Sequence, residues 1–439
     1  MQRKITQKLQ NWAKKADRKP LVIKGARQVG KTWAIKDFGN KFFAKTAYFN
    51  FDENSDLISI FDVKDVQEII RLLEYVAGFK FIPSETLIIF DEIQQCPNAL
   101  NALKYFKENA PQYFVVAAGS LLGTYLAKPK TYPVGMVELI ELYPLDFEEF
   151  LEATDQNLFG IYEDLKIEEE VPVFFHRKLS AACHDYMIVG GMPECVAAWC
   201  QNRDIGQIRD IQQALIEFYE GDFSKHIDST MAERCWHVWR SIPAQLAKAN
   251  ERFFYGTVKS GARAREYEEA VSWIVHAGLM NRIYNVQKIE KPLRAYSELS
   301  QFKLFLHDTG LLCRLAGVNP ADIALGNDYP FKGKVAENYV LQQLIGKTEI
   351  EPFYFMDDHC REIDFIVQTS NGIVPIEVKS GENVQSISLS NYVKKRNPPL
   401  AIRFSEKNCG NSGGIVSLPL YMTCKIQSLL HPPIIPLSQ

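Results

Sequence analysis

Gly25-Ala26-Arg27-Gln28-Val29-Gly30-Lys31-Thr32 matches the pattern G-x-x-x-x-G-K-[ST] and decides the fold of this chain. The apolar run Leu21–Ile23 before it predicts a buried strand, and the segment that starts at Trp33 predicts a helix. A loop between such a strand and a helix N-terminus surrounds phosphate oxygens with backbone N–H groups. We therefore predict an ATP site in which Lys31 reaches the β- and γ-phosphates and Thr32 offers its hydroxyl to Mg²⁺. The residues predicted to contact the nucleotide are Gly25, Ala26, Arg27, Gln28, Val29, Gly30, Lys31, Thr32 and Trp33.

A second apolar run, Thr86–Phe90, ends in the adjacent carboxylates of Asp91 and Glu92. Alone, such a strand end indicates no more than two solvated acids. Downstream of a phosphate-binding loop it matches the Walker B pattern, in which Asp91 helps to hold Mg²⁺. Glu92 is then placed to orient and deprotonate the attacking water. The two motifs together predict a hydrolysis site.

A third apolar run, Tyr113–Ala118, leads to Gly119 and Ser120. Strands that alternate with helical segments predict a doubly wound parallel sheet whose ligand lies at the carboxyl ends of the strands. Asp91, Glu92 and Ser120 all fall at such ends. Residues 1–155 are therefore predicted to form an α/β domain of the P-loop NTPase class.

Composition restricts the class of protein further. The 439 residues are 46% hydrophobic and 23% charged, which is typical of an ordinary globular protein. The net charge of −3 means that a nucleic-acid surface would have to be a local patch. The nine cysteines form no C-x-x-C pair, which favours a reducing, cytoplasmic setting. No apolar run approaches the roughly 18 residues that span a bilayer, so we expect no membrane partner.

The C-terminal third carries a second group of charged residues. Asn371-Gly372 predicts a hairpin turn between two strands. Period-two alternation places Asp364 on the polar face of the first strand, and Glu377 and Lys379 on the polar face of the second. Glu337 lies on a predicted helix upstream.

This pattern is the D…E-x-K arrangement of the PD-(D/E)XK nuclease fold. Its chemistry needs two carboxylates, here Asp364 and Glu377, to hold a divalent metal that stabilises phosphate charge. Lys379 can position water or stabilise the phosphate, and Glu337 supplies a further acid. Residues 326–439 are thus predicted to be a restriction-endonuclease-like α/β domain, either an active nuclease or a binding module.

The middle of the chain is predicted to be helical. Residues 156–230 begin with an acidic stretch and are predicted to form a helical lid. Residues 231–325 contain three short helical segments followed by two strands, Ile283–Val286 and Leu293–Tyr296, which together predict a winged helix. Its basic residues could contact phosphates, although an intramolecular packing module explains the same pattern. These residues are Lys259, Arg263, Arg265 and Arg294.

Nearly the whole chain resembles bacterial and archaeal ATP-binding proteins of the AAA+/signalling-ATPase branch. The resemblance rests on the segments GARQVGKT, LIIFDEIQ, AAGSLLG, ELYPLDFEEFL, YMIVGGMPECV, FKLFLHDTGLLCRLAG, KGKVAENYV, EIDFIV and PIEVKSG. It implies an ATPase core, a winged-helix-like middle and a restriction-endonuclease-like end. It also implies that Ser120 is the polar sensor near the γ-phosphate and that Pro193 lies near the base. From the residues alone, Gly190–Pro193 is equally well a turn that ends a helix.

The chain departs from this pattern at Met136, where such proteins often have a basic residue. The sequence therefore predicts an ATPase that controls a C-terminal domain acting on or binding nucleic acid. The alternative is a slow ATP-dependent switch whose C-terminal domain is inactive and binds a protein partner or a second copy. Arg27 either supplies charge at the phosphates or braces the loop.

Overall fold

The computed structural model describes residues 3–126, 135–167, 169–248, 252–348, 350–356, 362–381 and 386–430. They fall into two compact units. The N-terminal unit comprises the described residues up to 144 together with 273–279. The C-terminal unit comprises those from 145 to 272 and from 280 onward.

The N-terminal unit alternates strands with helices. In chain order it contains α1 (Ile5–Ala13), β1 (Leu21–Lys24), α2 (Lys31–Phe42), β2 (Lys45–Asn50), α3 (Val66–Ala77), β3 (Thr86–Asp91), α4 (Pro97–Asn109), β4 (Phe114–Ala118), α5 (Leu122–Leu126) and β5 (Glu138–Glu141). Short 3-10 helices span Ser55–Asp62 and Ile93–Gln95.

The strands of this unit form a parallel sheet in the order β2-β3-β4-β1-β5. Strand β3 is buried along its whole length, as a parallel sheet covered on both faces requires. The sheet confirms the predicted α/β fold of the P-loop class. Because the strands are parallel, the segments that follow β1, β3 and β4 meet at one edge of the sheet.

The C-terminal unit begins with helices and ends in a sheet. Its elements are α6 (Phe147–Thr154), α7 (Gln156–Asp164), α8 (Val173–Val189), α9 (Pro193–Asn202), α10 (Ile205–His226), α11 (Ser229–Leu246), α12 (Tyr255–Val258), α13 (Ala264–His276, of which 273–276 belong to the N-terminal unit), β6 (Met280–Val286), β7 (Ser297–Leu306), α14 (Thr309–Leu315), α15 (Pro320–Ala324), α16 (Lys332–Lys347), β8 (Pro352–Met356), β9 (Glu362–Gln368), β10 (Ile373–Val378), α17 (Ile387–Arg396), β11 (Ile402–Ser405), β12 (Gly410–Ser412), β13 (Ile415–Pro419) and α18 (Ile426–Leu430).

The predicted wing differs from what the structure contains. Residues Leu293–Tyr296, expected to be its second strand, form a 3-10 helix, and β6 pairs instead with β7 further along the chain. Strand β6 also pairs in parallel with β8. The hairpin is therefore one end of a sheet with the order β12-β13-β11-β10-β9-β8-β6-β7. The predicted boundaries at 230 and 325 both fall inside the C-terminal unit, and the domain division stays a prediction.

The region that follows α16 has a mixed topology. Strands β8, β9 and β10 pair antiparallel in sequence, with the predicted Asn371-Gly372 turn between β9 and β10. Helix α17 then crosses to β11, which pairs in parallel with β10. The order is thus helix, three antiparallel strands, helix and a parallel strand.

Asp308 joins three segments of the C-terminal unit. Its buried carboxylate accepts hydrogen bonds from the backbone N–H of Gly191 at 2.6 Å and of Leu311 at 3.0 Å. Gly190 has φ of 77°, and a Cβ there would lie 2.2 Å from Asp308 Oδ1. The glycine pair at 190 and 191 is therefore a tight turn built around this carboxylate.

We predict that Asp308→Ala destabilises the C-terminal unit by about 3 kcal/mol, because two buried N–H groups lose their acceptor. Thermal and urea unfolding measure the loss, with Asp210→Ala, on an exposed position of α10, as the control. Equal unfolding midpoints for the two variants would contradict this structural role.

Candidate functional site

The loop after β1 has a backbone that only glycine accommodates at two positions. Gly25 has φ of 147°, and a Cβ there would lie 2.2 Å from the carbonyl oxygen of Leu142. Gly30 has φ of 92° and immediately precedes α2. Positive φ at these positions turns the chain around the helix N-terminus, as the motif requires. The loop therefore has the conformation that a phosphate cradle needs.

Arg3 supports this loop, a role that no sequence motif indicated. Its buried guanidinium donates to the carbonyl oxygen of Val29 at 2.9 Å and to that of Tyr143 at 2.8 Å. Arg3 precedes α1, so only the tertiary fold brings it beneath the loop.

Lys31 is buried and carries its positive charge into the loop. Its Nζ donates to the carbonyl oxygens of Gly25 at 2.8 Å and Ala26 at 2.7 Å. Among the described residues no carboxylate lies within ion-pair distance of it. Burial lowers the pKa of the Lys31 ammonium to about 8, against the opposing effect of Glu92 and Asp91. A buried ammonium of this kind is stabilised by an anionic ligand.

Asp91 lies at the end of β3 and contacts the first turn of α2. Its Oδ2 accepts a hydrogen bond from Thr32 Oγ1 at 2.6 Å, so the two predicted magnesium ligands are adjacent. The hydroxyl of Tyr48 on β2 donates to the same oxygen at 2.9 Å. Burial, followed by the Asp91 charge, raises the pKa of the Tyr48 phenol. Tyr48 was missed from the sequence because the pairing of β2 with β3 decides which side chain faces Asp91.

Glu92 is held in a left-handed backbone conformation, with φ of 49°. Such a conformation is uncommon for a residue with a Cβ and needs support from its neighbours. Glu92 Oε2 accepts from Ser120 Oγ at 3.0 Å and from Gln94 Nε2 at 2.5 Å. A Cβ at Gly119 would lie 2.1 Å from Gln94 Oε1, so glycine there makes room for the amide.

Arg27 reaches the same group from inside the loop. Its Nε donates to Ser120 Oγ at 2.9 Å. The structure thus brings the predicted residues Arg27, Lys31, Thr32, Asp91, Glu92 and Ser120 together at one edge of the sheet. Trp33, also predicted to contact the nucleotide, is 48% exposed on α2. Pro193 starts α9 in the C-terminal unit, and its place near the base stays a prediction.

The second predicted group lies in the C-terminal unit. Glu377 is buried on β10, and its Oε1 is 2.7 Å from Lys379 Nζ. Asp364 on β9 accepts a hydrogen bond from the backbone N–H of Val378 at 2.7 Å. Burial, followed by the charges of Glu377, Glu337 and Glu362, raises the pKa of the Asp364 carboxyl well above its usual value. The shared electrostatics show that these predicted acids are close neighbours.

Lys303 on β7 belongs to this cluster although the sequence placed it in a different domain. Its fully buried ammonium pairs with Glu362. Burial alone would lower the pKa of Lys303, but the charges of Glu362, Glu337 and Asp364 raise it. The signal for its inclusion is the pairing of β6 with β8, which is a long-range contact.

The acids of the cluster have lysine partners. Lys334 Nζ is 3.0 Å from Glu337 Oε1, so Glu337, Glu362 and Glu377 each have one ammonium beside them. The remaining oxygens Glu337 Oε2 and Glu377 Oε2 are buried without a hydrogen-bond partner in the described structure. The described part of the chain contains no group of three or more acidic, histidine or cysteine side chains spaced to hold a metal ion.

The basic residues predicted to contact nucleic acid lie at the surface. Lys259 and Arg294 each have a carboxylate nearby, at 4.0 Å from Glu233 and 3.0 Å from Glu351. Arg263 and Arg265 are exposed at the start of α13. The four residues do not form a patch of a single charge.

No helix among the described residues is both long enough and apolar enough to cross a bilayer.

Comparison with known proteins assigns part of the chain. Residues 17–151 match the model of an AAA domain. Residues 180–322 match a domain of unknown function (DUF8612), and residues 332–422 match a second one (DUF4143). Curated proteins gave no match.

Three solved structures have a weak likeness to the chain. C. elegans PCH-2 is 12% identical at a TM-score of 0.26, over 46% of this chain and 62% of PCH-2, which is less than two thirds of its length. Aeropyrum pernix ORC1, solved with DNA, is 11% identical at 0.29, over 72% and 90% of the two chains. Pyrobaculum aerophilum Cdc6p is 12% identical at 0.23, over 73% and 93%.

The likenesses to solved structures are too weak to bear on activity. The AAA match covers the loop, β3 and β4, and it agrees with the sheet and with the geometry around Lys31. Residues 17–151 are therefore an AAA-type ATPase domain.

Proposed function

We propose that the N-terminal unit binds ATP with Mg²⁺ and hydrolyses it. The observation that carries this proposal is the buried ammonium of Lys31, which has only carbonyl oxygens as partners in the described structure. A triphosphate in the loop supplies the negative charge that this ammonium lacks. Backbone N–H groups of the loop and the N-terminus of α2 add to the attraction.

The residues beside the loop fit the magnesium ion. Thr32 Oγ1 and Asp91 Oδ2 are 2.6 Å apart, and hard oxygen ligands of this kind are those that Mg²⁺ prefers. Thr32 and Asp91 would hold the ion, whose chemistry is to neutralise phosphate charge. Tyr48 fixes the orientation of Asp91 through its hydrogen bond.

Hydrolysis needs one base. Water adds to the γ-phosphorus while the bond to the bridging oxygen breaks, so the products are ADP and inorganic phosphate. Glu92 accepts the proton that the water loses and later releases it to solvent. Lys31 stabilises the charge that develops on the phosphate oxygens.

We predict that Glu92→Gln retains ATP binding but lowers kcat at least about 100-fold, because an amide cannot accept the proton. Lys31→Ala loses ATP binding itself. Phosphate release and titration with a fluorescent ATP analogue separate the two effects, with the exposed Arg71→Ala as control. Normal hydrolysis by Glu92→Gln would refute the assigned base, and normal ATP affinity in Lys31→Ala would refute the site.

The pKa of Lys31 predicts how ATP affinity depends on pH. With a pKa of about 8 the ammonium is charged below pH 8 and loses its proton above it. Bound phosphate favours the charged form, so affinity falls as pH rises and is about tenfold weaker at pH 9 than at pH 7. Calorimetry across this range measures the slope. In Lys31→Arg the guanidinium stays charged, and a variant that still binds ATP gives a flat profile. A flat profile in the wild type would contradict the prediction.

We further propose that residues 326–439 have a PD-(D/E)XK nuclease-like fold that acts on or binds nucleic acid under control of the nucleotide state. The supporting observations are the order of α16, β8, β9, β10, α17 and β11 and the convergence of Glu337, Asp364, Glu377 and Lys379. The unpaired oxygens of Glu337 and Glu377 are those that a cation would satisfy.

The alternative is a slow switch whose C-terminal domain binds a partner without cutting nucleic acid. The lysine partners of Glu337, Glu362 and Glu377 favour it, because built-in ammonium groups reduce the need for a metal. Met136 in place of a basic residue also favours slow turnover.

Asp364→Asn separates these two functions. Its amide oxygen retains the hydrogen bond from Val378, so the variant keeps the fold while losing the charge. If the domain is a nuclease, the wild type cleaves plasmid DNA in Mg²⁺ or Mn²⁺ and the variant does not, and calorimetric Mn²⁺ affinity without nucleotide falls more than about tenfold. Asp210→Asn is the surface control. Absence of both metal binding and cleavage in the wild type would reject the nuclease and support the switch.

A further inference from the structure

Arg27 is the one cation of the loop that reaches the strand end carrying the proposed sensor. The hydrogen bond from Arg27 Nε to Ser120 Oγ is 2.9 Å long, and Ser120 Oγ in turn donates to Glu92 Oε2 at 3.0 Å. A hydroxyl has one proton and two lone pairs, so Ser120 can accept from Arg27 and donate to Glu92 at once. The three side chains thus form a directed relay that ends on the proposed base.

Glu92 depends on such support. Its left-handed backbone has no glycine to relieve it, and its carboxylate is fixed by Ser120 and by Gln94. A charged donor to Ser120 strengthens the bond that Ser120 makes, because hydrogen bonds in a chain polarise one another. Arg27 therefore acts on Glu92 from the loop that receives the phosphates.

We propose that Arg27 is a positioning residue that orients Glu92 through Ser120 and so links the phosphate loop to the hydrolytic base. The role rests on the ATPase activity proposed above. It differs from a direct contact with the nucleotide, which would act on affinity, and from bracing of the loop, which would act on stability. Each of these alternatives predicts a different pattern in a double-mutant cycle.

The cycle uses Arg27→Ala, Ser120→Ala and the double variant, with kcat, ATP affinity and melting temperature measured for each. We expect each single variant to lower kcat at least about tenfold while ATP affinity changes less than about threefold. The double variant should be no slower than the worse single variant, because both remove the same relay. Arg27→Lys retains a donor to Ser120 and should recover part of kcat.

Other outcomes overturn the proposal. Multiplied effects on kcat in the double variant would mean that Arg27 acts independently of Ser120. Weaker ATP affinity with normal kcat in Arg27→Ala would make it a phosphate ligand, and a lower melting temperature that accounts for the lost activity would make it a brace. Arg71→Ala combined with Ser120→Ala is the control pair and should give additive effects. Absence of hydrolysis in the wild type would reject the ATPase proposal itself, together with this role.

Discussion

The structure of the N-terminal unit depends on one constraint, the burial of the Lys31 ammonium within a loop of its own chain. Gly25 allows this because its missing Cβ lets the loop lie against the carbonyl of Leu142, and Arg3 supports the loop from beneath through Val29. The loop carbonyls of Gly25 and Ala26 then point at the ammonium. Carbonyl dipoles offset the cost of burying a charge only in part, so the site remains complementary to an anion.

The parallel sheet converts this cradle into a reaction site. Strands β1, β3 and β4 run in one direction and end at one edge, so Lys31, Asp91, Glu92 and Ser120 meet there although they are widely separated in sequence. The contacts at this edge are short and directed: Thr32 to Asp91, Ser120 to Glu92 and Arg27 to Ser120. The fold therefore supplies positions, and the loop supplies the charges that act on them.

Sequence patterns predicted the features whose signals are local. The loop, the buried strands and the hairpin at Asn371-Gly372 follow from glycine positions and apolar runs, and the structure contains them. Features that depend on pairing between distant segments were missed, among them Tyr48 beside Asp91, Arg3 beneath the loop and Lys303 beside Glu362. The expected wing strand at Leu293–Tyr296 was wrong because β6 takes β7 and β8 as its partners.

The two charged groups of this chain have opposite electrostatic requirements. Around Lys31 a buried cation has no carboxylate partner among the described residues, so an anion adds stability there. Around Asp364 the reverse holds: the acids Glu337, Glu362 and Glu377 already have the ammonium groups of Lys334, Lys303 and Lys379. A metal would have to compete with these lysines for the carboxylates, at the cost of displacing charges that are already paired. Because Lys303 lies on the hairpin β6–β7, that hairpin is part of the acidic cluster, and the charge balance of the cluster is set by residues outside its sequence motif.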